Sequence, residues 1–131
     1  MTFVDTSAWF ALYVSGDPNY LAATQWLADN SDPLVTTDYV IDETLTLLRS
    51  RGRRGIAIQF GLDAFAKLFS DIEFLETQDI KEAWYVFQNF DDKDWSFTDC
   101  TSKLVMEKLN IDTAFAFDHH FRQFGTVVVV P

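Results

Sequence analysis

The sequence predicts an α/β fold, a five-stranded parallel sheet covered by helices on both faces. Short apolar runs of three to five residues alternate with segments of helical periodicity along the whole chain, a pattern that closes through right-handed crossovers. At 131 residues the chain suits one domain with a core that needs no disulfide. A composition of 48% hydrophobic and 23% charged residues, with no repetitive or polar tract, leaves no place for a linker. Residues 1–131 are therefore expected to form a single domain.

Thr2-Phe3-Val4 reads as the first strand, ending at Asp5, with Thr6 and Ser7 as caps for a helix through AWFALYV. Asp17-Pro18 reads as an N-cap followed by proline at the first helical position, and Leu21, Ala22, Trp26 and Leu27 carry that helix to about Asn30. Leu34 to Thr36 form a second strand. From Asp38, Val40, Ile41, Leu45 and Leu48 recur at helical spacing until Gly52 stops them, which places Glu43 in the first turns. A helix from about Arg54 to Phe69 is expected to turn Ile56, Phe60, Phe65, Leu68 and Phe69 inward, before Ile72 to Leu75 form the third strand. Thr77 to Phe90 predicts a helix with Ile80, Trp84 and Phe87 inward. The acidic stretch Asp91-Asp92-Lys93-Asp94 breaks it, and Ser96 or Thr98 caps the next helix, which runs to about Leu109. Thr113 to Phe117, a short helix over 118–125, and Thr126 to Val130 complete the pattern.

Charge narrows the function. Twenty acids against ten bases give a net charge of −10, the wrong sign for general attraction to nucleic acid, and this argues against a plain RNA-binding module. Four of the bases fall in one segment, Arg49, Arg51, Arg53 and Arg54, where the local field can oppose the net charge and contact RNA phosphate or an acidic partner. Cys100 is the single cysteine, which suits a reducing compartment and reads as a small apolar core residue. The N-terminus lacks a basic-then-apolar leader and no apolar run reaches membrane length, so a cytoplasmic protein is expected.

The acids are the informative feature. Asp5 closes the first strand, Glu43 sits early in the helix after the second, Asp99 opens a helix, and Asp118 follows the strand at Ala114 to Phe117. In a parallel sheet these positions map to one rim, at the carboxyl ends of the strands, where such folds bind ligands. Two carboxylates about 4 Å apart repel by roughly 4 kcal/mol at an effective dielectric of 20, so such a cluster needs an opposing charge. Mg2+ or Mn2+ with oxygen ligands is the expected occupant, and the chemistry it supports is metal-assisted phosphodiester hydrolysis. The bland alternative is that some of the acids merely stabilise helix N-termini. A phosphatase using an aspartate after the first strand would need a second acid two residues on, where this chain has Ser7.

Phe3-Val4-Asp5-Thr6-Ser7, Asp42-Glu43, Trp95-Ser96-Phe97-Thr98-Asp99 and Phe117-Asp118-His119-His120-Phe121 followed by Gly125 resemble, in order and separation, the motifs of the PIN domain family. Its members nearest in size are VapC-type toxins. The resemblance implies a three-layer α/β/α sandwich and an Mg2+- or Mn2+-dependent endoribonuclease with Asp5, Glu43, Asp99 and Asp118 at the family's acidic positions. It implies Thr6, Ser7 and Thr98, with Ser96 as a further candidate, as hydroxyls that orient the carboxylates. It also implies an RNA substrate, a protein antitoxin and a homodimer. A non-catalytic PIN-like binding domain and a non-toxin RNA-processing nuclease are the alternatives.

Of the remaining residues, His119 and His120 are adjacent and on a regular helix would point about 100° apart, too far to share one ion easily. His119 is read as an RNA or partner contact at the rim. Asp91, Asp92 and Asp94 read as a solvated turn and Asp42 as a surface acid. Trp9, Trp26, Trp84 and Trp95 are assigned to core or interface rather than to base stacking.

Overall fold

The computed structural model describes residues Met1–Pro131. Its order is β1 (Thr2–Val4), α1 (Thr6–Tyr13), α2 (Tyr20–Asp29), β2 (Leu34–Thr37), α3 (Asp38–Ser50), α4 (Arg54–Phe65), β3 (Asp71–Glu73), α5 (Thr77–Asn89), α6 (Phe97–Lys108), β4 (Thr113–Phe115), a 3-10 helix (His119–Gln123) and β5 (Val128–Val130). All five strands are parallel, in the order β3-β2-β1-β4-β5. Every residue of β1 and β2 is buried although successive side chains point to opposite faces, so both faces of the central sheet are covered. The chain winds outward from β1 through β2 to β3 and then returns to the other side of β1 as β4. The topological switch therefore lies between β1 and β4.

Aromatic side chains fix the helices to this sheet. Phe3 of β1 stacks on Phe121 of the 3-10 helix at 6.1 Å, and Phe115 of β4 meets Trp26 of α2 at 4.2 Å. Phe60 of α4 lies under Trp9 and Tyr13 of α1. The Trp9 indole donates to Thr36 Oγ1, which donates on to Val4 O, so the tryptophan ties α1 to both central strands.

Several boundaries differ from the sequence expectations. Asp5, not Thr6 or Ser7, caps α1, its Oδ2 accepting from Ser7 N at 3.1 Å. Asp17 and Pro18 form a turn rather than a helix start: Asp17 Oδ1 accepts from Asn19 N, and α2 begins at Tyr20. Helix α4 stops at Phe65, because Lys67 adopts a left-handed conformation (φ 54°) and Leu68 N reaches back to Asp63 O. Phe65, Leu68 and Phe69 are consequently exposed, contrary to the inward placement expected of them. Gly52 (φ 72°) ends α3 by the same device, with Arg53 N bonded to Leu48 O. In α5 the buried positions are Asp79 and Ala83, while Trp84 and Phe87 are exposed and stacked on each other. Of the expected inward stripe only Ile80 is half-buried, and the inner line runs instead through Asp79, Ala83 and Val86.

Candidate metal centre

Each of the four acids reaches the rim by a different local rule. The extended backbone of Asp5 links β1 directly to α1, so its carboxylate lies at a strand end and a helix start at once. Asp99 is the third residue of α6 and completes a capping box: Ser96 Oγ accepts from Asp99 N, and Asp99 Oδ2 accepts from Ser96 N, both at 3.0 Å. Asp118 caps the 3-10 helix, its Oδ1 accepting from His120 N at 2.9 Å. Glu43 projects from the second turn of α3 and caps nothing. Capping thus accounts for three of the acids one by one. It does not account for their convergence, or for Glu43.

Converge they do. Asp5, Glu43, Asp99 and Asp118 line one cavity with Thr6, Ser7, Leu47, Ser96 and His120, and no lysine or arginine is among its walls. Burial first, then the charges of Asp99 and Glu43, push the Asp5 carboxyl up to about 7 against the hydrogen bonds from Ser7. Burial likewise raises Glu43 and Asp99, to which neighbouring carboxylates add. The N-termini of α1, α6 and the 3-10 helix offer only partial positive charge in return. A partly buried acidic set with no lysine or arginine and one imidazole beside it fits a divalent cation, and the four carboxylates are the groups that could hold it.

Ser7 organises the rim. Its hydroxyl donates to Asp5 Oδ2 at 2.6 Å and accepts from the backbone N–H of Phe117 (2.9 Å) and Asp118 (3.3 Å), joining the end of β1 to the segment after β4 across the switch point. Thr6 Oγ1 is buried with no aligned partner, and the Thr6 and Thr98 hydroxyls lie beside the Glu43 carboxylate, lowering its pKa against burial. All four hydroxyls singled out in the sequence therefore stand next to an acid.

The arginine segment does not act as one patch. Arg51 lies over the Phe10 ring and lines a groove continuing from the acidic cavity through Ser7, Phe117, Asp118, His119 and His120. Arg49 and Arg54 instead flank a second groove, between α3 and α4, lined by Leu45, Ala57, Ile58, Leu62 and Phe65. Arg53 is exposed and lines neither. Asp91, Asp92, Asp94 and Asp42 are exposed and stand outside the cavity.

Sequence reasoning underrated His120. Residues 119–123 form a 3-10 helix, on which successive side chains leave about 120° apart, yet the two histidine rings tilt together to within 4.3 Å. His120 Nδ1 lies 2.9 Å from Asp99 Oδ2 and 3.1 Å from Asp118 Oδ1, whereas the His119 side chain is 74% exposed. The legible signal was a histidine two residues after a strand-end aspartate. Its inward aim depended on the docking of this segment against β1 through Phe121.

A family model for the PIN domain matches residues 2–127. The 23S rRNA-specific endonuclease VapC20 of Mycobacterium tuberculosis, from two strains, is 37% identical over 134 aligned positions, which cover all of this chain and 99% of the relative. The crystal structure of M. tuberculosis VapC20, described as a sarcin-ricin loop cleaving toxin, superposes with a TM-score of 0.93 at 32% identity over the whole of both chains.

Proposed function

This chain belongs to the PIN domain family and is an endoribonuclease of the VapC type, and on that premise we propose that it hydrolyses a 23S rRNA phosphodiester in a sarcin-ricin-like loop with Asp5, Glu43, Asp99 and Asp118 holding Mg2+ or Mn2+. The observation that carries this reading is the convergence of four acids, three of them with raised pKa, in a cavity that contains no lysine or arginine. When bound, the cation activates a water and offsets the charge of the scissile phosphate. The protein's part is preorganisation. Ser7 fixes Asp5, the Ser96 capping box fixes Asp99, and His120 N fixes Asp118. Arg51 and His119, on the groove leading out of the cavity, meet the RNA backbone, which supplies locally the positive charge that the protein as a whole lacks.

The remaining partners follow from two apolar surfaces. The α3–α4 groove, with Arg49 and Arg54 at its edge, fits an amphipathic helix carrying acidic residues, the chemistry suited to an antitoxin segment. Trp84, Tyr85 and Phe87 leave an exposed aromatic face on α5 that supports a homodimer. No helix is long and apolar enough to cross a membrane, and we place the enzyme in the cytoplasm.

The test is cleavage of a 23S sarcin-ricin loop RNA by the purified chain with Mg2+ or Mn2+, beside Asp5→Asn and Asp99→Asn. Wild type should cut at one position, and each variant should lose at least about a hundredfold in rate. Equal rates for wild type and variants, or no cleavage with either ion, refute the reading.

A further inference from the structure

Resting on the reading of the acidic rim as a cation site, we propose that His120 Nδ1 is itself a ligand, so that the centre is a mixed nitrogen–oxygen site holding Mn2+ in preference to Mg2+. Two spacings carry this. An octahedral ion with ligands at about 2.1 Å sets neighbouring donors about 3.0 Å apart, and His120 Nδ1 stands 2.9 Å from Asp99 Oδ2 and 3.1 Å from Asp118 Oδ1. The nitrogen thus stands at ligand-edge separation from one oxygen of each carboxylate.

The nitrogen has no hydrogen bond of its own, and its two short contacts are satisfied either by an imidazolium paired with both carboxylates or by a cation that all three groups share. It is fully screened from solvent and, despite both short distances, makes no aligned hydrogen bond, because neither carboxylate oxygen lies along the in-plane direction of a ring N–H. Asp99 Oδ2 already accepts from Ser96 N, and Asp118 Oδ1 from His120 N. Both carboxylates are therefore held in place without the imidazole. The ring itself is set by Phe121, fully buried in the core one residue later, and its side chain is only 16% exposed, so the nitrogen is presented with little freedom. His119 also comes within 4.8 Å of Asp118 and His120, but its Nδ1 is 3.6 Å from Asp118 Oδ1 and its side chain is mostly exposed, so it is not held toward Asp99. An imidazole nitrogen adds little to the binding of hard Mg2+ and more to that of a transition-series cation, which gives the preference for Mn2+.

The experiment is pulsed electron paramagnetic resonance of the Mn2+-loaded full chain, with calorimetric titration of Mn2+ and Mg2+ into wild type, His120→Ala, His119→Ala and Asp99→Asn. Directly coordinated nitrogen should modulate the Mn2+ echo in wild type and in His119→Ala, shift on 15N-histidine labelling, and vanish in His120→Ala. Mn2+ affinity should fall at least roughly tenfold in His120→Ala, with Mg2+ affinity changing by less than about threefold. Mn2+ that binds wild type in an Asp99-dependent way without nitrogen coupling, or coupling that survives in His120→Ala, overturns the proposal and leaves the acidic site standing. Absence of Mn2+ binding to wild type, or binding that ignores Asp99→Asn, overturns the acidic site and this proposal with it. The wild-type spectrum decides the matter even if a variant fails to fold.

Discussion

Asp5→Asn should make the metal-free protein more stable at pH 8, although it removes the most buried acid of the rim. The substitution keeps shape and deletes charge. Burial and neighbouring acids raise this carboxyl from 3.8 to about 7. A shift of about three units corresponds to about 4 kcal/mol by which folding opposes the ionised form. Asp5 is only 3% exposed, so solvent screening removes little of this. Asparagine weakens the contacts with Ser7 N and Ser7 Oγ, which costs about 1–2 kcal/mol. The net gain is about 2–3 kcal/mol, a rise of roughly 10 °C in melting midpoint for a domain of this size.

The pH dependence gives the sign. Because the folded pKa lies above the unfolded one, the stabilising effect of protonated Asp5 is complete below about pH 4 and is lost as pH rises through about 7. The advantage of the variant should therefore be full at pH 8 and shrink steadily toward pH 5. Saturating Mn2+ should reverse the order, raising wild type by about 2.7 kcal/mol at a hundred times the dissociation constant and leaving the variant unmoved. Thermal melts at pH 5, 7 and 8, with and without Mn2+, read all of this. A variant less stable than wild type at pH 8 without metal, or a gap indifferent to pH, would refute the account of Asp5 as a buried, opposed charge.

Ser7→Ala strips Asp5 of a donor and leaves two backbone N–H groups without their acceptor; a loss of about 1–3 kcal/mol in chemical denaturation is expected, with the Asp5 pKa rising further by carboxyl infrared titration. Arg51→Ala should raise the KM for RNA and lower the salt slope of binding by about one, while Arg53→Ala changes neither. Arg49→Glu with Arg54→Glu should weaken binding of an acidic amphipathic helix from the antitoxin at least about tenfold in calorimetry, yet leave RNA cleavage intact, because those two side chains line the α3–α4 groove and not the acidic cavity. Phe3→Ala, in a fully buried ring stacked on Phe121, should cost about 3–5 kcal/mol and loosen the segment that carries His120.

By itself the sequence determined the alternation of strands and helices, and with it the parallel sheet and the rim on which Asp5 and Asp118 had to fall, because strand ends follow from local apolar runs and their breaks. The hydroxyls beside the acids were legible for a related reason: Ser96 and Asp99 form a box written in consecutive residues, and Ser7 stands two positions from the acid it binds. The start of α2 and the end of α4 were not legible. Asp17-Pro18 spells a helix start that an Asx turn pre-empts, and the left-handed residue that stops α4 is Lys67, not a glycine. The orientation of α5 also went unread, since apolar periodicity marks a face without saying whether the chain itself or a second copy covers Trp84 and Phe87.

Only the tertiary structure decided how the rim is completed. It separated Arg51 from Arg49 and Arg54: two positions apart at the end of α3, Arg49 and Arg51 leave on opposite sides of the helix, and the turn at Gly52 returns Arg54 to the groove that Arg49 lines. It also drew His120 inward between Asp99 and Asp118, because Phe121 enters the core against Phe3 and Asp118 accepts from His120 N, which dock this segment beside the start of α6. The second is a consequence of packing across the β1–β4 switch point, and contacts between segments more than a hundred residues apart leave no trace in local periodicity.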